Sequence, residues 1–230
     1  MPQVSSHAIA AAVPSRLWLL PLSIALLPFV ATHLALLLSI EAGHVPACVP
    51  YLTGCTSISR AARHGLANDL FQWVMLPVAL LHAANWIAAR RWFASVHGTR
   101  GAAATLIPLG LVAGLALAMY VYALGTEGDF YRWMRRFGIT FYFAASYLAQ
   151  LVFVHRLAQI ERPAGLEQRA MTAIGLALLA MGVGSVAVSA SVQDDDLKDA
   201  IENVLEWNLA LLMTLWFLLQ SRLWRRLGRR

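Results

Sequence analysis

Glu202 and Glu206 stand four residues apart, a spacing that puts two carboxylates on one face of a helix. Glu206 falls about one turn inside an apolar segment that begins near residue 203. An ionisable group at that depth is costly unless it is paired or wet, which makes it a functional candidate. Arg60, Arg63, Arg132, Arg135 and Arg136 are available as counter-charges. Two roles stay open for the acids: an ion pair that clamps loops to the last helix, or direct contact with a ligand. Ser57, Ser59, Arg60, Arg63, His64, Glu127, Asp129, Arg132, Glu202 and Glu206 together form a candidate headgroup site. Arginine suits it because a guanidinium grips phosphate through paired hydrogen bonds. The acids would orient those arginines or bind sugar hydroxyls and amines.

Other chemistry is less well supported. Ser57, Ser59, His64 and the nearby acids hold the residue types of a hydrolase, but polar loop residues serving turns explain them as well. H-E-x-x-H, G-x-S-x-G and a phosphate loop are absent, and no metal-ligand pattern stands out. Asp194, Asp195 and Asp196 read as a solvated helix start, although a cation fits the same residues. A haem would need two histidines at one depth. His33 falls about 10 Å from its span's end, His82 about 20 Å and His155 about 25 Å, so only His82 and His155 could share one. His155 precedes Arg156 and reads as an interfacial residue. Ser146 and Gln150, four apart, read as partners for a neighbouring helix. No resident cofactor is expected.

The elements that must position these residues are apolar. Hydrophobic residues make up 59% of the 230-residue chain and charged ones 13%, too much apolar surface for a soluble core of this length. Stretches near 17–40, 69–89, 103–124, 138–157, 170–190 and 203–224 approach the ~20 residues a membrane span needs. Lipid satisfies no backbone group, so the spans are helices, and the period-two pattern of a membrane barrel is missing. The expectation is a single all-α domain over 1–230, a six-transmembrane-helix bundle with short loops. The first apolar run is too long for a cleaved signal.

Basic residues set the orientation. The termini and the even-numbered loops hold Arg16, Arg90, Arg91, Arg100, Arg156, Arg162, Arg169, Arg222, Arg225, Arg226, Arg229 and Arg230, 12 of the 18 Lys and Arg. Both termini are therefore expected in the cytoplasm. The net charge of +6 then reflects a basic inner face beside anionic lipid, and no nucleic-acid partner is needed. One Lys among those 18 residues, with abundant Ala and Leu, suggests a bacterial inner membrane. Cys48 and Cys55, both in the first outer loop, fit a disulfide in an oxidising compartment, against the alternative of two free thiols.

Three stretches resemble the DRAM/Frag/Sfk superfamily. They are Val49-Pro50-Tyr51-Leu52 through Ser57-Ile58-Ser59 to Asp69-Leu70-Phe71; residues 125–137 with Glu127 and Asp129-Phe130; and Ile201-Glu202 to Leu205-Glu206-Trp207. Within that group the chain is similar to the remodelling factors for the lipids of GPI anchors. The chain departs from the family pattern at Arg60, in place of an acid, and at Trp133 or its arginine neighbours, in place of a histidine. It also lacks a proline before the second span. The resemblance implies a protein that binds or helps remodel a (glyco)phospholipid at the outer leaflet. A non-catalytic lipid-binding scaffold and a haem-bearing redox protein are the alternatives. Membrane lipids are the expected partners, with a membrane-protein partner and the oligomeric state left open.

Overall fold

The computed structural model describes residues 16–97, 102–160 and 163–228. Arg100, Arg162, Arg229 and Arg230 lie outside the described residues. Six long helices dominate: α1 (Leu19–Glu41), α4 (Gly65–His97), α5 (Leu106–Ala123), α6 (Asp129–Ile160), α7 (Leu166–Ser191) and α8 (Asp195–Leu227). Each is long and apolar enough to cross a membrane, and no strand occurs among the described residues. Two one-turn helices, α2 (Pro50–Thr53) and α3 (Ile58–Ala61), sit in the loop after α1.

Four of the six helices, α4, α6, α7 and α8, overrun the apolar stretches that mark them, whereas α1 and α5 stay close to or within theirs. The sequence reading starts the fourth span at 138, yet α6 begins at Asp129. A hydropathy pattern ends at the first charged residues, whereas a helical backbone keeps its own hydrogen bonds into a polar layer. The last helix likewise begins at Asp195 rather than 203. The Asp194 carboxylate accepts the Leu197 N–H at 2.9 Å, and so caps a helix end that would otherwise leave donors free.

The long helices close into a ring in the order α1, α4, α5, α6, α7, α8, back to α1. Small residues make the α4–α5–α6 side tight. A Cβ at Gly114 would come within 2.7 Å of the Ala79 carbonyl, and one at Gly138 within 3.0 Å of the Ala116 carbonyl. The α6–α7 seam is the loosest in the ring. Gly175, Gly182 and Gly184 on α7 have no neighbour that a Cβ would meet. Leu34, Leu37, Leu80, Leu115, Val183 and Val186 are exposed, an apolar outer surface suited to lipid.

Two apolar cores fill the ring. One, around Trp86, Trp92, Phe153, Trp216 and Trp224, lies toward the end where Trp18 meets Arg225. The other, around Phe71, Leu117, Tyr120 and Trp207, lies under the 42–64 loop; this is called the loop end below. A polar layer joins α4, α6 and α8. Asn85 donates to Gln220 at 3.2 Å, Gln150 donates to the Met213 sulfur at 3.1 Å, and Ser146 Oγ lies 3.1 Å from His82 Nε2.

Candidate functional site

The 42–64 loop is folded back over the bundle, and side chains from the helices hold its carbonyls. On α8, Asn203 donates to Gly54 O at 2.7 Å, Trp207 Nε1 to Thr56 O at 2.9 Å and Asn208 to Tyr51 O at 3.1 Å. Ser39 of α1 donates to Ala61 O at 2.6 Å, and Asn68 of α4 to Ala62 O at 2.9 Å. Gly54 has φ +62°, and a Cβ there would run into the Ala200 backbone, so the loop lies directly on α8. Cys48 and Cys55 are joined by a disulfide that closes this segment on itself. Tyr51 O–H pairs with His33 Nε2 at 3.2 Å, and burial pushes the phenol pKa up.

Folding the loop down brings α3 against α8. Ser57 caps α3, its Oγ accepting the Arg60 N–H at 3.0 Å. The one-turn helix then presents the Ile58 and Ser59 backbone amides to the Glu206 carboxylate, with Arg60 and Arg63 as its nearby positive charges. Ser59 Oγ accepts from Arg63 at 3.3 Å and is also the partner of the Tyr120 hydroxyl.

These groups border a cavity of about 490 Å³ between α3, α5, α6, α7 and α8. Arg63, Arg132, Arg135 and Arg136 supply its cationic side, and Glu202 and Glu206 its anionic side. Arg135 is anchored by donating to the Ala123 and Thr126 carbonyls at 2.9 and 2.6 Å, which ties α6 to the end of α5. Arg63 Nε is shielded from solvent and has no hydrogen-bond partner. The cavity shares Phe143 and Leu209 with an apolar groove of about 600 Å³. That groove runs along the α6–α7 seam past Tyr147, Leu179, Gly182 and Val186. On its inner side Glu206 also borders a small apolar cavity of about 70 Å³ inside the ring.

Five of the ten candidate residues line this cavity: Ser59, Arg63, Arg132, Glu202 and Glu206. The other five do not. Ser57 is a helix cap, and Arg60 pairs with Asp199 at 2.6 Å. His64 is exposed and contacts the His44 ring. Glu127 is exposed, and Asp129 pairs with Arg132 at 3.3 Å while itself almost fully exposed. Tyr120, Thr140 and Ser185 line the cavity without any signal in the sequence reading, and Arg135 and Arg136, expected only as counter-charges, line it as well. For the arginines a signal exists: 132, 135 and 136 follow i, i+3, i+4 spacing, one face of a helix once 129–137 is helical.

The histidines are committed elsewhere. His82 is fully buried, with Trp86 Nε1 donating to its Nε2 at 3.1 Å, whereas His155 is exposed and bonded to Gln159. That pairing fixes the His82 tautomer, since indole N–H only donates. Among the described residues no three His, Cys, Asp or Glu side chains gather into a set able to hold a metal ion. No family model, no curated protein and no solved structure matches this chain.

Proposed function

We propose that this protein binds a phosphate-bearing membrane lipid, with its headgroup in the arginine cavity and an acyl chain in the groove between α6 and α7. One observation carries the reading: a cavity lined by four arginines adjoins, across Phe143 and Leu209, an apolar groove on the lipid-facing side of the bundle. Each half alone has a bland explanation. Joined, they match an amphiphile's charged head and apolar tail. Guanidinium groups near one another repel unless an anion sits among them, and the unpartnered Arg63 Nε is a donor such an anion would satisfy.

The chemistry favours binding over hydrolysis. Ser59, Thr140 and Ser185 are nucleophile types in the cavity, but no histidine lies among the lining residues to activate them. Remodelling, which the family resemblance suggests, would then fall to a partner enzyme acting on the presented lipid. We place the loop end at the outer leaflet, because the Cys48–Cys55 disulfide suits an oxidising compartment and the arginine-rich termini suit the cytoplasm.

Native mass spectrometry of gently extracted protein tests the reading. The wild-type chain is expected to retain a phospholipid, and the Arg132→Gln/Arg136→Gln double variant to lose most of it. Equal retention by both proteins, or no retained lipid in either, would sink the proposal.

A further inference from the structure

The cavity is not simply cationic. Its positive groups come from α6 and the end of the 42–64 loop, and its negative groups, Glu202 and Glu206, from α8. Opposite charges in one cavity would ordinarily pair. Here, among the described residues, neither glutamate forms an ion pair, whereas Arg60–Asp199, Arg132–Asp129, Arg222–Glu167 and Arg226–Glu167 do. Arg63 lies near enough to Glu206 to favour its charge, yet no arginine of the cavity closes a salt bridge onto either glutamate.

That arrangement discriminates among phospholipids. A headgroup with only negative charge gains from the arginines but meets two unpaired carboxylates, a like-charge penalty that weakens its binding. A choline headgroup carries a positive charge but has no N–H to donate to a carboxylate. A primary ammonium donates three hydrogen bonds and carries the opposite charge, so it satisfies the α8 carboxylates directly. Glu206 already faces the Ile58 and Ser59 amides, which orients its carboxylate in the cavity wall before any ligand arrives.

We propose that the cavity selects the phosphoethanolamine type of headgroup, its phosphate held by Arg63, Arg132 and Arg136 and its ammonium by Glu206 and Glu202. This rests on the lipid-binding reading above and narrows it to a zwitterionic amine-bearing phospholipid.

The test is competition in nanodiscs holding equal amounts of phosphatidylethanolamine, phosphatidylglycerol and phosphatidylcholine with identical chains, read by native mass spectrometry of the lipids that stay bound after release. The wild-type protein is expected to retain phosphatidylethanolamine on the order of tenfold over either competitor, the size of one charge-assisted hydrogen bond. Glu206→Gln should lower phosphatidylethanolamine retention by about the same factor and raise that of phosphatidylglycerol, with Glu202→Gln shifting both in the same direction by less. Glu127→Gln removes an exposed acid outside the cavity and should leave the preference intact. Free phosphoethanolamine in excess should not displace the lipid, because the chain anchors it in the groove; displacement would contradict a site built for both parts. Lipid retained without preference for the ethanolamine headgroup, or a preference untouched by both glutamate variants, overturns this inference and leaves the lipid-binding reading standing. No lipid retained by the wild-type protein overturns both.

Discussion

Arginine and glutamate meet at both ends of this bundle, with opposite outcomes. Near the start of α7, Glu167 is buried and pairs with Arg222 at 3.5 Å and with Arg226 at 3.3 Å, both from the last turns of α8. Arg225 lies over the Trp18 ring, and Ser221 donates to the Trp18 carbonyl at 2.8 Å, so that end is closed by its own side chains. At the loop end, Glu206 and Glu202 share a cavity with four arginines and pair with none of them. The difference is backbone spacing. α7 and α8 pack together and put the Glu167 carboxylate on the arginines. At the loop end the α6–α7 seam is loose, and the charges are held on separate helices around an open volume. The first arrangement closes its glutamate into ion pairs, and the second leaves Glu202 and Glu206 without one.

That contrast can be broken in order of expected effect. Glu167→Gln should cost about 2 kcal/mol, because it turns a buried carboxylate gripped by two arginines into a neutral amide. Detergent melting of the lipid-free protein measures it, and an unchanged melting temperature would mean the pair is ornamental. Trp207→Phe should cost about 1 kcal/mol by leaving the Thr56 carbonyl without its indole donor. Protection of the 42–64 backbone amides from hydrogen exchange reads this locally; the loop should open while the Trp216 and Trp224 core stays protected. Glu206→Gln should cost under about 1 kcal/mol, since no ion pair is lost and the amide oxygen can still accept from the Ile58 and Ser59 N–H groups. If Glu206→Gln proved as destabilising as Glu167→Gln, the loop-end acids would be structural and the two ends alike.

The six helices were legible in the sequence because lipid tolerates little else: runs of Leu, Ala and Val about 20 residues long admit one reading. Their ends were not, since Asp129 to Phe137 is too polar to register as span yet remains helical. Glu202, Glu206, Ser59 and Arg63 could be picked out by residue type and position. What could not be read was convergence. Asn203, Trp207 and Asn208 hold a loop some 150 positions earlier in the chain, and nothing local in either segment announces that pairing. The same blindness kept His64 and Glu127 among the candidates, because an exposed loop residue and a cavity residue look identical until the loop is folded.

The central claim, that headgroup cavity and apolar groove act as one site, is tested most directly at Gly182. This glycine lines the groove and is not among the residues lining the charged cavity, and a Cβ there meets nothing. Gly182→Leu fills groove volume and replaces a poor helix former, so lipid-free stability should hold or rise by up to about 1 kcal/mol. Lipid retained per protein, counted by native mass spectrometry, should nevertheless fall several-fold, although no headgroup contact has been altered. Undiminished retention in a well-folded Gly182→Leu protein would contradict the account, because the arginines would then be holding their ligand without the groove.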